Sequence, residues 1–439
     1  MTLKSNASNR RTFVARMGLG AAALAVAHRK ASADAADRLV VGVIGPGGMG
    51  SNHLRLLAER NDVTVAYVCD PDNERLGAAV KTVEERAKTT PKAVSDMRAV
   101  FDDKSVDAVW IATPDHWHAP ASILALDAGK HVYVEKPCCH NIREGRLMTE
   151  AVKRTGLKLQ VGTQSRSTDF VREGIEQVLS GKIGDILVAK AWNSQKRGSI
   201  GKTKPSDPPA NLDYDLWVGP APMVPYRSNM LPSIWRWWYD FGCGDIGNDG
   251  VHDIDVALWG FGAKTHPTRI TCLGGKYYFD DDQQFPDTQY AVFEYPVAGN
   301  SDKRRQFIFE QRDWSPYVQE GYENGAAFYG TAGCLIMGHS VGWKLYGERN
   351  KLLAEGSGKG DVAAHHQNFI DCVRGKSNQL NADISVGHRA ATLVHLANIA
   401  ARDGQVLEFN PDAETIVQLR GQCPGKPAIP RTLATPKGV

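Results

Sequence analysis

At 439 residues the chain exceeds one ordinary core of about 100 to 200 residues, so more than one domain is expected. Hydrophobic residues at 42% and charged residues at 23% exclude a disordered or fibrous chain. Lysine plus arginine (52) nearly balance aspartate plus glutamate (49), which excludes the broad basic surface of a nucleic-acid-binding protein.

The small positive excess sits at the start of the chain. Residues 1–33 hold Lys4, Arg10, Arg11, Arg16, Arg29 and Lys30 and no acid, so the rest is slightly acidic. Asn9-Arg10-Arg11-Thr12-Phe13-Val14 is a twin-arginine core, residues 17–27 are a short apolar run, and Ala31-Ser32-Ala33 is an A-x-A cleavage site. The run is far shorter than the roughly 20 residues that cross a bilayer, so no membrane anchor is expected. The reading is a twin-arginine signal cleaved near Ala33, with a periplasmic or otherwise exported product. The eight cysteines include no C-x-x-C pair; this excludes zinc-ribbon and thioredoxin-like sites, and no metal site is expected.

Leu39-Val40-Val41-Gly42-Val43-Ile44 has the β-branched character of a buried parallel strand. Gly45-Pro46-Gly47-Gly48-Met49-Gly50 follows, and His53, Leu54, Leu56 and Leu57 then show helical spacing. G-x-G-x-x-G therefore lies between strand and helix. Gly45 permits the turn, Gly47 lets backbone approach a pyrophosphate, and Gly50 lets helix and strand pack closely.

A second strand, 63–69, ends at Asp70, whose carboxylate accepts from ribose hydroxyls and repels a 2′-phosphate. No arginine follows immediately, so NAD is expected rather than NADP. Strands at 107–112, 131–134 and 157–161 alternate with helices at 115–127 and 143–154, as in a doubly wound parallel sheet. Ligands collect beyond the carboxyl ends of such strands. That brings Thr113, Pro114, His116, His118, Glu135 and Lys136 to the cofactor, with Gly48 and Met49 of the turn, and Gln164 to the substrate. His116 and His118 are equally readable as loop-packing groups. From residue 184 the pattern turns β-rich, at 186–191, 269–279, 289–295 and 306–311, which suits a second, α+β domain.

Glu135-Lys136-Pro137 after a strand resembles the Gfo/Idh/MocA oxidoreductases, the glucose–fructose oxidoreductase and inositol 2-dehydrogenase kind. The glycine-led stretch from Gly242 to Asp255 looks like that family's D-x-G-x-H-x-x-D helix, and Phe328-Tyr329-Gly330-Thr331-Ala332-Gly333 like its G-T-x-G turn. His366-Gln367-Asn368-Phe369-Ile370-Asp371 and Gly387-His388-Arg389-Ala390 look like its closing helices. The resemblance covers about residues 38–410, in order. It implies an N-terminal Rossmann domain at 38–160 and a C-terminal substrate domain at 161–410 with a large open, mostly antiparallel sheet. That sheet often mediates oligomerisation, so a homodimer or tetramer is expected.

By the same resemblance Lys136 orients a substrate hydroxyl and joins a proton relay. His252, as an imidazole, reads as the general base near neutral pH. The family's aspartate four residues earlier falls on Asn248 here, with Asp249 beside it. Asparagine hydrogen-bonds a hydroxyl without titrating, so the relay rests on Lys136 and His252, helped by Asp245. Asp255 either orients His252 or pairs with a surface cation.

Residues 205–232 are proline-rich and lead into Ile234-Trp235-Arg236-Trp237-Trp238-Tyr239. Such a cluster is either core or a carbohydrate wall, with Trp235 stacking on a sugar and Arg236 binding hydroxyls or a carboxylate. The proline-bearing tail, 411–439, reads as surface chain without regular structure. Three functions are consistent with these residues. The leading one is an exported NAD-dependent oxidoreductase moving hydride between a secondary hydroxyl of a sugar, polyol or sugar derivative and tightly held NAD. The second is a redox-neutral glycosidase or lyase acting through transient oxidation of the 3-hydroxyl. The third is a non-catalytic sugar-binding protein.

Overall fold

The computed structural model describes residues 38–420 except 298. The twin-arginine segment and most of the proline-bearing tail lie outside the described residues.

Strands β1 (Leu39–Ile44), β2 (Val63–Cys69), β3 (Lys92–Val94), β4 (Ala108–Ile111), β5 (His131–Val134) and β6 (Leu159–Val161) form one sheet in the order β3-β2-β1-β4-β5-β6. All five pairings are parallel. Alternate residues feed cores on opposite faces. Val41, Val43, Trp110 and Tyr133 enter one, while Ile44, Val109, Ile111, Val132 and Val134 enter the other. Ile44 pairs with Cys69 on one side and Ile111 on the other, so these strands end level. The turns after β1 and β4 thus open together at the point where strand order reverses, the usual ligand crevice of this topology.

Ten later strands form the second sheet: β7 (Ile186–Asn193), β8 (Arg269–Gly275), β9 (Thr288–Val297), β10 (Asn300–Arg312), β11 (Asn324–Gly330), β12 (Cys334–Gly338), β13 (Gly342–Tyr346), β14 (Leu352–Ser357), β15 (Val406–Asn410) and β16 (Thr415–Arg420). Only β7 with β10 is parallel; the other pairings are antiparallel. Helices Asp169–Leu179, Val251–Phe261 and Ile384–Asp403 close its core on one face. The other face leaves Leu187, Leu273 and Tyr290 exposed at 52%, 78% and 45%.

Two sequence boundaries shift. Helix Val362–Val373, far beyond residue 160, returns to the first domain and buries Phe369 and Ile370 beside Val41, Trp110 and Tyr133. The tail also begins with regular structure, because Thr415–Arg420 pairs with β15. That segment precedes the prolines at 424, 427, 430 and 436, so every residue in it retains a ladder N–H. The seven described cysteines are unpaired, and six of them are buried.

Candidate active site

The glycine turn is shaped by close backbone approach. Gly45 has φ +76, and a Cβ there would sit 2.8 Å from the Thr113 nitrogen. A Cβ at Gly50 would overlap the carbonyl oxygen of Gly45, so this buried glycine serves packing. Helix Gly48–Ala58 starts without a side-chain cap or an acid in its first turn. Its first N–H groups are therefore open to a phosphate.

A cavity of about 690 Å³ runs from this turn to the proline-rich loop. All the sequence-expected cofactor residues line it except Gly50 and His116. At one end Asp70 is buried, with Oδ1 accepting from the Asp72 N–H at 2.9 Å. Burial pushes its carboxyl up to about 6. The arginine absent from the positions just after Asp70 appears five residues on. Arg75 lines the cavity over Gly47 and pairs with Asp72 at 3.5 Å. Thr113 also lines the cavity, and its buried Oγ1 has no partner. Open helix amides, a glycine cradle, a carboxylate at the end of β2 and an unclaimed hydroxyl together fit a dinucleotide.

Farther along, Lys136 donates from Nζ to the Asn248 carbonyl at 2.7 Å, which joins the end of β5 to the second domain. Residues Ile246–Gly250 form one wide π turn ahead of helix Val251–Phe261. Such turns recur at functional sites, and this one brings the Asn248 backbone to Lys136. The Asn248 side chain donates to Asp245 Oδ1 at 2.9 Å. Asp245 is wholly buried and also accepts from Asn193 at 2.8 Å and Arg197 at 3.1 Å. It holds the turn in place and has no free path to substrate.

Several expected roles change. Asp249 is absent from the cavity wall because Arg197 claims its carboxylate. Burial opposes that charge, but Arg197, Lys136 and His252 hold the carboxyl below its ordinary value. Gln164 donates to Glu135 at 2.8 Å and to Tyr133 at 3.1 Å, so it orients Glu135 and does not line the cavity. His116 is buried against the carbonyls of Trp217 and Phe241, at 3.1 and 3.4 Å, which is a loop-packing role. His118 lines the cavity, yet both ring nitrogens face carbonyls, of Pro137 and Thr113. Asp255 pairs with Arg166 at 2.6 Å, deep in the fold, and neither orients His252 nor meets a surface cation.

His252 departs most from expectation. Burial, then Lys136 and His339, push its imidazole down to about 3, so it is neutral throughout the working range. Its buried Nδ1 has no partner. His252 lies outside the cavity wall, and its ring meets that of His339 edge-on at 5.3 Å. His339 in turn contacts Asp253 at 3.0 Å, and that carboxylate raises its pKa.

His339, His53, Asp115 and Arg197 also shape the site; Asp115 lies in the strand-end segment expected beside the cofactor and His53 on the helix after the glycine turn, but no motif assigns any of the four a role. His53 holds Glu135 at 2.9 Å from the inward face of the first helix. Asp115 lines the cavity near Lys136 and Arg236, and burial pushes it up to about 7. Trp235 and Arg236 do line the cavity, whereas Trp237 is buried and Trp238 packs with Trp217 and Phe241. Among the described residues, His266, His388 and Glu414 converge with ligand atoms within 4.8 Å of one another. They are already paired, at 3.4 and 3.0 Å to the carboxylate, and none lines the cavity.

Two models of one family match the chain. Residues 39–163 match the oxidoreductase family's NAD-binding Rossmann fold, and residues 183–292 match its C-terminal alpha/beta domain. Levoglucosan dehydrogenase of Pseudarthrobacter phenanthrenivorans is 28% identical over 51% of this chain and 51% of its own length. The chain thus spans about half of that relative. The NAD(+)-dependent scyllo-inositol 2-dehydrogenase of Bacillus subtilis is 24% identical over 78% of this chain and 88% of its own. Among solved structures, the WlbA dehydrogenase from Bordetella pertussis, in complex with NADH and UDP-GlcNAcA, superposes with a TM-score of 0.63 at 18% identity, covering 85% of this chain and 99% of that one. Together with the glycine turn, the Glu135-Lys136 strand end and the ten-stranded sheet, these matches place the chain in the Gfo/Idh/MocA family of oxidoreductases, with NAD as the cofactor of its Rossmann domain.

Proposed function

We propose that the protein is an exported, NAD-dependent oxidoreductase that oxidises a secondary hydroxyl of a sugar, polyol or sugar derivative. The carrying observation is that one cavity joins the glycine turn and Asp70 to Lys136 and Arg236. NAD bound along that cavity supplies the hydride acceptor. Lys136, with one N–H held by Asn248, keeps two for the substrate hydroxyl. Neutral His252 lies outside the cavity wall with an unpartnered Nδ1, and its proposed part is the far end of a proton relay that begins at Lys136 rather than contact with the substrate. With NAD held there, a carbinol giving up a hydride and its hydroxyl proton would be left as a ketone, with Lys136 orienting the hydroxyl. Dehydrogenase names among the relatives support this reading, as does the cavity's aromatic wall of Trp117, Trp217 and Trp235.

The twin-arginine segment supports export. A protein delivered folded, to a compartment poor in free nucleotide, is best served by retaining its cofactor. Exposed Leu187, Leu273 and Tyr290 on the uncovered sheet face support a homodimer or tetramer. The test is mass spectrometry of purified protein after denaturation, followed by product analysis with candidate polyols. Released NAD(H) and a ketone product support the proposal. Millimolar nucleotide affinity, or a cleaved glycoside with deuterium incorporated from D2O, would oppose it.

A further inference from the structure

Arg236 lines the same cavity as Lys136. Its Nε is buried and has no hydrogen-bond partner. Among the described residues no carboxylate approaches it within ion-pair distance, although Asp245, Asp115 and Asp249 act on its charge from farther off; the Trp235 ring lies 5.5 Å from the guanidinium carbon. The nearby acids are otherwise engaged. Asp245 and Asp249 both pair with Arg197. Asp115 is wholly enclosed, and burial keeps it substantially protonated near neutral pH. A desolvated guanidinium with idle donors is costly, and proteins normally satisfy such donors. Burial lowers the pKa of Arg236, yet a guanidinium remains charged at any working pH. Gly242 packs tightly on its backbone, since a Cβ at Gly242 would overlap the Arg236 Cα.

We infer that the substrate is an anionic sugar whose carboxylate or phosphate is gripped by Arg236, while Lys136 holds the hydroxyl to be oxidised. The planar fork of arginine matches either anion with paired hydrogen bonds, and the Trp235 ring beside it offers a face for the sugar's C–H groups. An uncharged sugar would leave the guanidinium without a direct ion pair, so neutral parents are discriminated against. The inference rests on the proposed oxidoreductase reading and narrows its substrate class.

The experiment uses the NAD-loaded full chain with hexuronates, aldonates and hexose phosphates, each set against its neutral parent sugar or polyol. Binding is followed by calorimetry and turnover by NADH absorbance. Acidic sugars are expected to bind about 100-fold more tightly than neutral parents. Arg236→Gln should remove that preference, and Arg236→Lys should restore part of it. Stronger binding of uronates and aldonates assigns a carboxylate, and stronger binding of hexose phosphates assigns a phosphate. Equal binding of neutral and acidic sugars would overturn the inference, as would an Arg236→Gln loss that is uniform across both classes. If acids bind through Arg236 without reducing the cofactor, the anion site stands and the oxidoreductase reading falls. If neutral polyols alone are oxidised, the reverse holds. Thermal melts of both variants distinguish a lost contact from a lost fold.

Discussion

At the scale of single residues, function was most legible where chemistry sits in a local motif. Lys136 follows a strand with glutamate before it and proline after it, and the structure places it on the cavity wall, joined to the second domain. Lys136→Met should lower kcat/KM by about 10² to 10⁴ while changing NAD affinity only a few-fold, read by steady-state kinetics beside calorimetry. His252 was legible as a candidate, but neither its place outside the cavity wall nor its state was. Imidazole basicity depends on desolvation and on His339, which lies 87 residues away in the chain. Asp70 permits a pH test with a definite sign. Burial raises its carboxyl to about 6, so the form that accepts from ribose hydroxyls dominates above that value. NAD affinity should weaken by up to about tenfold between pH 7 and pH 5. Asp70→Asn should flatten that dependence; an unchanged slope in the variant would assign it elsewhere.

At the scale of elements, the strands and helices expected in the first domain fall within one or two residues of those observed, but the helices Asn73–Ala87 and Arg98–Asp102 and the edge strand Lys92–Val94 were not expected. What periodicity lacked were contacts made across hundreds of residues. Helix Val362–Val373 reads as part of the second domain, yet Phe369 meets Trp110 edge-on at 5.1 Å and seals the first. Phe369→Ala should cost about 3 to 5 kcal/mol, and hydrogen exchange should show the loss in β1, β4 and β5 as well as locally. Asn248 gives the same lesson on a shorter span. A regular helix would align positions 248 and 252, but the wide turn instead offers the Asn248 carbonyl to Lys136. At the glycine turn, Gly50→Ala should abolish NAD binding in a dialysis assay, because the new methyl overlaps the Gly45 carbonyl.

For the whole molecule, burial of neutral histidines sets the acid limit of stability. His116, His252 and His395 are pushed down to about 3, and His266 and His365 to about 4, with burial the main cause in each. Each binds protons more readily when unfolded. Stability therefore falls as pH drops below about 6.5, by up to about 2 kcal/mol per histidine at pH 5. The raised carboxyls of Asp70, Asp115, Glu144, Asp240, Asp253 and Asp313, with the raised His339 and His388, act in the opposite direction; burial also lowers His118, His131, His140 and His366, which adds to the acid-labile set. Thermal melts from pH 7.5 to 5 should show a steady fall in Tm; a flat profile would mean these histidines are solvated in solution.

The account as a whole depends on one cavity serving both nucleotide and substrate. The most direct test follows absorbance at 340 nm while NAD-loaded protein is titrated with acidic and neutral sugars, in parallel with Lys136→Met. NADH formation is expected in the native protein and at a rate about 10² or more lower in the variant, with nucleotide still bound in both. Equal NADH formation in the two proteins, or no nucleotide bound by either, would contradict it.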